Sequence, residues 1–134
     1  MRRSILCGLL LSATLCAVAC NDVRPTYQGR LDPYDRRQIQ FTSDDLQNDT
    51  AVSGPPIASR DNNGYLHVTI PIRSAIDKDL YVDYMTQFFD STGQVIEKTE
   101  WQPAVLPANT PYSVTDVCTS PAAVNFQTTF RYSK

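Results

Sequence analysis

The chain has few of the side chains that build catalytic and metal centres. Its 134 residues contain one histidine and four cysteines, and three of the cysteines lie within the first twenty residues. Zinc sites draw mainly on Cys and His ligands, and a copper carrier would need several Met or His ligands. Beyond residue 20 only His67, Met85 and Cys118 are available. The sequence therefore predicts neither a metal site nor a bound cofactor.

Basic clusters, phosphate loops and nucleophile motifs are lacking as well. The 12 Lys and Arg residues are outnumbered by 14 Asp and Glu residues, and beyond the N-terminal region Arg36-Arg37 is the only adjacent basic pair, which argues against nucleic-acid binding. The five glycines are too widely spaced for a phosphate-binding loop. No serine lies in a Gly-x-Ser-x-Gly elbow. We therefore predict that the protein is not an enzyme.

The first twenty residues have the pattern of a secretory signal. Arg2 and Arg3 precede an uncharged, mostly apolar run over residues 5–18, and small residues lead up to Cys20. The run is shorter than the roughly 20 residues that cross a bilayer as a helix. We therefore predict that residues 1–19 are a lipoprotein signal peptide, which is removed after export.

Cys20 has the position of the lipid-accepting cysteine of a bacterial lipoprotein. Several acyl chains on this residue would give a lasting membrane attachment, whereas a single chain binds only marginally. Asn21 stands where an aspartate would direct a lipoprotein to the inner membrane, so the outer membrane is favoured. Ala17 and Ala19 also satisfy the rule for ordinary signal peptidase, which leaves release as a soluble protein open.

The rest of the chain divides into two parts. Residues 20–37 contain two prolines and a glycine among polar residues, which predicts a flexible tether from the lipidated cysteine. Over residues 38–134, short alternating runs are separated by turn residues and no window carries a helical stripe. About seven such strands predict an all-β domain, an immunoglobulin-like antiparallel β-sandwich.

The clearest strands start at Leu66, Leu80 and Val124, where apolar and polar residues alternate. Pro71 lies within the first and predicts an edge strand or a bulge, because proline cannot donate to a ladder. Residues 80–100 predict a hairpin. The polar stretch after Phe41 is interpreted as a connection, and Trp101 as the centre of the core or as a cap on one rim.

One strand carries apolar residues on the face that we predict to be outward. Tyr81, Met85 and Phe89 form a row there, with Asp83 and Gln87 between them. If the row is exposed, it is the best candidate for a partner-binding surface, because exposed aromatic residues are frequent interface anchors. If it is covered, both faces of the strand belong to the core.

Cys118 is the only thiol left once the signal is removed and Cys20 is acylated, so no internal disulfide is expected. It shares a strand face with Val114, which predicts a buried thiol, although an exposed thiol could pair with another chain. His67 is predicted to be a solvated strand residue. A thiol-dependent enzyme using Cys118 with His67 is the least favoured hypothesis.

The pattern from Gly64 to Arg131 resembles the YcfL-like periplasmic lipoproteins, a family without an assigned activity. The residues that carry the resemblance are the strand ending near Arg73, Tyr84, Phe88-Phe89-Asp90, Gly93, Trp101, Leu106-Pro107, Pro121-Ala122, Val124, Phe126 and Arg131. Ser74 and Cys118 depart from the family pattern. The resemblance implies a lipid-anchored β-sandwich of the cell envelope and supplies no catalytic residue.

These observations predict a non-enzymatic envelope lipoprotein on the periplasmic side of the outer membrane. Its partners would be the membrane, through the anchor on Cys20, and another envelope protein that the sandwich binds or assists. A soluble secreted or periplasmic module for glycan or peptidoglycan fragments is the alternative, because exposed Tyr and Trp side chains can stack on sugars.

Overall fold

The computed structural model describes residues 34–134. The predicted signal peptide, Cys20 and residues 20–33 of the predicted tether lie outside the described residues. The last tether residues, 34–37, form a turn, and Tyr34 packs against the core with its ring edge on Phe41 at a centroid distance of 6.5 Å. Within residues 34–134, no helix has the length and apolar character needed to span a bilayer.

The described chain forms nine strands and one short helix. In chain order they are β1 (Ile39–Phe41), α1 (Asp44–Asp49), β2 (Thr50–Val52), β3 (Ile57–Arg60), β4 (Leu66–Ser74), β5 (Leu80–Phe89), β6 (Val95–Lys98), β7 (Gln102–Leu106), β8 (Ser113–Val117) and β9 (Asn125–Tyr132). The predicted fold class, an antiparallel β-sandwich, is confirmed, with nine strands where the sequence predicted about seven.

Each sheet is built around one long strand. In the five-stranded sheet, β5 pairs with β9 on one side and with β6 and then β7 on the other, and β1 adds to β9 in parallel. In the four-stranded sheet, β4 pairs with β2 and β3 along one side and with β8 along the other. All pairings except β1 with β9 are antiparallel.

The core lies between the inner faces of β4, β5 and β9. Period-two alternation places every second residue of these strands inward, and the largest of them, Phe88 and Phe130, are completely buried. Phe130 contacts the rings of Phe41 and Tyr84 at centroid distances of 5.5 and 6.1 Å. Because each fully buried large apolar side chain contributes about 1.5–3 kcal/mol, this layer holds the two sheets together.

Pro71 lies in a central strand, so the predicted edge position is wrong. Its carbonyl accepts a hydrogen bond from the Ser53 N–H at 2.9 Å, while the next N–H along β4, that of Ile72, donates to Tyr112 on the opposite side. The nitrogen and the carbonyl of a strand residue point to the same side, so the Pro71 nitrogen faces the side of β4 on which β2 and β3 lie. Pro71 is there at the gap between the residues of β4 that pair with β2 and those that pair with β3. The missing N–H costs no ladder bond there.

The helix α1 was not predicted. Ser43 caps it, because the Ser43 Oγ accepts a hydrogen bond from the Leu46 N–H at 3.2 Å, and Asp44 and Asp45 in the first turn suit the positive end of a helix. Leu46 is completely buried. A six-residue helix is too short to show an apolar period, although Ser-Asp-Asp before a leucine is a recognisable helix start.

Strand β3 was also not predicted, whereas the hairpin was. All four residues of β3 are exposed, so the strand has no apolar alternation to detect. The hairpin of β5 and β6 turns through Asp90, whose Oδ1 accepts from the Thr92 and Gln94 N–H groups, and through Gly93 at φ +83°. This confirms the turn predicted after Phe89.

Candidate functional site

The three side chains of the outward row on β5 differ in their exposure to solvent. Tyr81 is 63% exposed, Met85 is only 7% exposed and Phe89 is half-buried. Met85 nevertheless lies outside the main core cluster, since alternation directs it to the outer face of the five-stranded sheet. Of the two alternatives for the row, exposure therefore holds for Tyr81 and burial holds for Met85.

A polar network lies on the same outer face. The Arg131 Nε donates to the Asp83 Oδ2 at 3.0 Å, and the Ser133 Oγ donates to the Asp83 Oδ1 at 2.9 Å. The Arg131 guanidinium carbon lies 4.0 Å from the centre of the Trp101 ring, a cation–π contact. The network joins β5, β9 and the residue before β7, so these side chains are held in one arrangement.

Asp83 is the charged centre of this network. Its hydrogen bond from Ser133, followed by the hydrogen bond and the charge of Arg131, holds the pKa of the Asp83 carboxyl below its ordinary value, although desolvation opposes the shift. The carboxylate is therefore ionised at neutral pH and pairs with Arg131 as a charge. The charges of Asp83 and Arg131 therefore neutralise each other within the protein.

Tyr81 belongs to a small apolar patch beside the network. In the ladder between β5 and β7, Tyr81 is opposite Val105 and Asp83 is opposite Pro103, so all of these side chains share the outer face. Val105 is 43% exposed and Pro103 is exposed. We call Tyr81, Pro103 and Val105 the Tyr81 patch. Its tyrosine and adjacent arginine are residue types enriched at binding hot spots.

Trp101 is not the centre of the core. It is half-buried, lies outside the main core cluster and immediately precedes β7. The predicted central position is therefore wrong, and the ring lies against Arg131 at the outer face of the five-stranded sheet. Because the Arg131 guanidinium covers one face of its ring, Trp101 offers at most the other face to a ligand.

The two side chains of the thiol hypothesis lie on opposite faces of the four-stranded sheet. Cys118 is completely buried in the core, which confirms the predicted burial. Its Sγ donates to the Glu97 Oε2 at 3.2 Å. His67 lies on the outer face, where its Nε2 is 3.3 Å from the Asp61 Oδ2. Burial raises the pKa of the Cys118 thiol, which disfavours the reactive thiolate.

Two closely spaced pairs of aspartates, Asp44 with Asp45 and Asp77 with Asp79, support a helix and turns respectively. Asp44 and Asp45 lie in the first turn of α1. The Asp79 Oδ1 accepts from the Ala108 N–H at 3.0 Å, and the Asp77 Oδ1 accepts from the Asn109 side chain at 3.2 Å. Within residues 34–134, no three His, Cys, Asp or Glu side chains come together as metal ligands would.

One polar cluster lies between the two sheets and is centred on Asp116. Asp116 interrupts the apolar face of β8, and the structure shows that it is 8% exposed. The Gln102 Nε2 donates to the Asp116 Oδ1 at 2.8 Å, and the Tyr84 hydroxyl donates to the Gln102 Oε1 at 3.2 Å. Burial, and then the nearby Asp116 charge, raises the pKa of Tyr84. No local sequence pattern identifies Gln102 and Tyr84 as the partners of Asp116, because the three residues lie on different strands.

Fold and surface together define a small β-sandwich domain with a compact aromatic and apolar patch on one sheet. The family model described as "Protein of unknown function (DUF1425)" matches residues 37–131, which is more than half of the chain. The chain belongs to this family. The matched range covers β1 to β8 in full and all of β9 except its last residue, Tyr132.

Two crystal structures have a similar fold. The structure of Campylobacter jejuni cj0090 has a TM-score of 0.62 and 18% sequence identity, and the match covers 72% of this chain and 99% of that one. A DUF1425 family member from Shewanella sp. pv-4 has a TM-score of 0.54 and 20% identity, with 63% and 77% covered. At these identities the likeness concerns the fold alone. No curated protein sequence matches this chain significantly.

Proposed function

We propose that the protein is a non-enzymatic envelope lipoprotein of the YcfL-like kind, whose β-sandwich binds another envelope protein. In this proposal an acylated Cys20 anchors the chain on the periplasmic side of the outer membrane. The observation that carries the proposal is the Tyr81 patch, where a tyrosine that is 63% exposed lies beside the apolar Val105 and Pro103 of β7 on the outer face of a sheet.

The surroundings of the patch support a binding role. Arg131 is held by Asp83 and by the Trp101 ring, so its conformation is set before a partner arrives. Fixing a long side chain in advance lowers the entropy lost on association. Because Asp83 and Arg131 neutralise each other, we propose that the partner presents an apolar or aromatic surface to the patch rather than a strongly charged one.

The anchor is supported by the sequence. The apolar run before Cys20 is too short to remain as a membrane helix, and a cysteine follows small residues at the expected cleavage position. Because residues 34–37 form a turn against the sandwich, the proposed flexible coil comprises residues 20–33, which would span roughly 19 to 22 Å. A sandwich on such a tether could reach a partner close to the membrane while it stays attached.

A glycan-binding role has less support. Sugar rings stack on exposed aromatic faces, and one face of Trp101 is covered by Arg131. Tyr81 would then be the principal stacking platform, with the apolar Val105 and Pro103 on its β7 side. On its other side, the Arg131 and Ser133 side chains already donate to Asp83 rather than to a sugar hydroxyl. Apolar flanks suit a protein surface better than they suit a glycan.

The anchor is tested on the protein as cells process it. We expect intact-mass measurement to give residues 20–134 plus several hundred daltons or more on Cys20, and we expect fractionation to recover this form with outer membranes. A Cys20→Ala variant should lose both the added mass and the membrane association. A wild-type chain with the bare mass of residues 20–134 in the soluble fraction would contradict the anchor.

The partner surface is tested by crosslinking in cells. A photoreactive amino acid at position 81 should crosslink to one defined envelope protein, identified by mass spectrometry. The matched control is position 57, because Ile57 is 62% exposed on the other sheet. In addition, Tyr81→Ala should abolish copurification of that protein. Equal crosslinking from positions 81 and 57, or copurification unchanged in Tyr81→Ala, would rule out the Tyr81 patch as the binding surface.

A further inference from the structure

Most free sheet edges within residues 34–134 carry a feature that discourages pairing with another chain. β1 and β2 have three residues each, β7 contains Pro103, β6 ends in Lys98, and β3 ends in Arg60 and follows Pro55-Pro56. Short length, proline and outward charge are the common means by which proteins protect their sheet edges. These edges are therefore protected against pairing with another chain in the usual ways.

The edge formed by β8 has none of these features. β8 is five residues long and contains neither proline nor lysine. The Cys118 N–H donates to the Leu66 carbonyl of β4, so the even-numbered residues of this segment bond to β4 and the odd-numbered ones direct their backbone groups to the open edge. The odd-numbered residues are Ser113, Thr115 and Val117, and their side chains are exposed and uncharged.

The single charge on β8 points inward. Asp116 is 8% exposed, and its Oδ1 accepts from Gln102 of β7. Its Oδ2 is buried and has no hydrogen-bond partner. The apolar neighbour opposite Asp116 on β4 is Val68. An inward-pointing charge on an edge strand is itself a protective feature, because a further strand would enclose a carboxylate that is only half satisfied.

Side chains of the other sheet also approach this edge. The Tyr84 hydroxyl points at the Thr115 carbonyl oxygen at 3.5 Å. Beyond β8, the Glu97 carboxylate accepts from the Thr119 N–H at 2.9 Å. Two backbone groups that face the open side are thus directed at partners within the protein. The remaining backbone groups of the edge are available to an extended strand.

We propose that Asp116 protects the open β8 edge against pairing with the β8 edge of a second copy of this chain. Two β8 strands that pair edge to edge join their four-stranded sheets into one continuous sheet. Only inward-facing side chains of the second copy's β8 segment can lie opposite Asp116, which means Val114, a second Asp116 or the adjoining Cys118. Pairing therefore places an apolar group or a like charge beside a carboxylate oxygen that lacks a partner, which is unfavourable. The inference is independent of the proposed function, which uses the other sheet.

The experiment measures self-association of the processed chain by sedimentation velocity over a range of concentrations, in mild detergent if the chain fractionates with membranes. The wild type should remain monomeric. Asp116→Val should dimerise at concentrations about 100-fold below the highest one at which the wild type is still monomeric, and Asp116→Asn should shift in the same direction by a smaller factor. Hydrogen exchange of the Thr115 and Val117 amides should slow at least about tenfold in the Asp116→Val dimer.

Two controls separate edge pairing from general misfolding. Adding Thr115→Lys to Asp116→Val places a charge on the open edge, which should restore the monomer. Val68→Ala weakens the core opposite Asp116 and leaves the carboxylate in place, so it should stay monomeric. A folded Asp116→Val protein that remains monomeric overturns the proposal. Association that Thr115→Lys does not reverse, or a wild type that already pairs through β8, overturns it as well. If Asp116→Val does not fold, Asp116→Asn decides by the same criteria.

Discussion

Arg131 lies with its guanidinium 4.0 Å from the centre of the Trp101 ring, and the same group donates to Asp83. One arginine thus joins the last strand of the sandwich to the central strand of its sheet and to Trp101, the residue immediately before β7. Met85 is buried on the same face, and the exposed Tyr81 lies two residues from Asp83.

We predict that Arg131→Ala destabilises the domain and changes the fluorescence of Trp101. The cation–π contact alone contributes about 0.5–1 kcal/mol at a partly exposed site. Arg131→Lys is the matched control, because lysine keeps a charge near Asp83 but lacks the planar guanidinium that lies over the ring. Chemical denaturation followed by fluorescence measures both variants. Equal stability and equal spectra in Arg131→Ala and the wild type would show that the contact contributes nothing.

Glu97 should contribute to the loss of stability in acid. Burial tends to raise the pKa of the Glu97 carboxyl, but hydrogen bonds from Cys118 and Thr119 outweigh burial and hold the pKa below the ordinary value of 4.5. The folded state therefore favours the ionised form. This stabilising contribution is complete above pH 4.5 and is lost as the pH falls through the lowered value in the folded state.

The test is the free energy of unfolding of Glu97→Gln as a function of pH. Its decrease below pH 4.5 should be smaller than that of the wild type. Glu100→Gln serves as the control, because Glu100 is exposed and should leave the acid limb close to that of the wild type. Identical acid limbs for Glu97→Gln and the wild type would contradict the assignment.

Tyr132 should ionise at an unusually high pH. Burial, and then the hydrogen bond and charge of Asp49, raises the pKa of Tyr132 from 10.0 to about 12, and its hydroxyl donates to the Asp49 Oδ2 at 2.9 Å. The folded state holds this proton more tightly than the unfolded state. The resulting contribution to stability is complete below pH 10 and is lost as the pH rises through about 12.

Ultraviolet absorbance of tyrosinate during an alkaline titration measures this ionisation. Tyr132→Phe should remove the component that titrates near pH 12. Asp49→Asn should move that component to lower pH but not fully to 10.0, because the burial remains. A titration curve that is unchanged in Asp49→Asn would show that the Asp49 charge does not act on Tyr132.

The cap of α1 and its buried leucine should differ in their contributions. Ser43→Ala removes the side chain that accepts from the Leu46 N–H, so we expect a loss of about 1 kcal/mol. Leu46→Ala leaves a cavity at a completely buried position and should cost about 2–5 kcal/mol. Ser43→Thr keeps the capping oxygen and should be close to the wild type. A cap variant that costs more than the leucine variant would contradict this ranking.

The Cys118 thiol should be unreactive in the folded protein. Burial raises its pKa, and the thiolate is the reactive form. Iodoacetamide at neutral pH should therefore modify Cys118 slowly in the native chain and rapidly after denaturation. Rapid labelling of the native protein would revive the hypothesis of a thiol-dependent enzyme.

Strands with one fully covered face were predictable because local alternation records which face is buried. Leu66 to Ile72 and Leu80 to Phe88 follow that rule, and both form central strands. β3 escaped prediction because neither of its faces is covered. The burial of Met85 could not be predicted, because it lies on the face opposite the core and the alternation leaves open whether that face is covered.

The amino-acid sequence by itself determined the β-sandwich, its main turns, the burial of Cys118 and the lack of a recognisable catalytic motif, because turn residues and period-two alternation act over short stretches of chain. Only the tertiary structure decided that Trp101 lies against Arg131, that Asp116 has one satisfied oxygen, and that Tyr81 is exposed while Met85 is buried. Arg131 and Trp101 are 30 positions apart in the sequence, and no local pattern specifies which side chains meet when two sheets assemble.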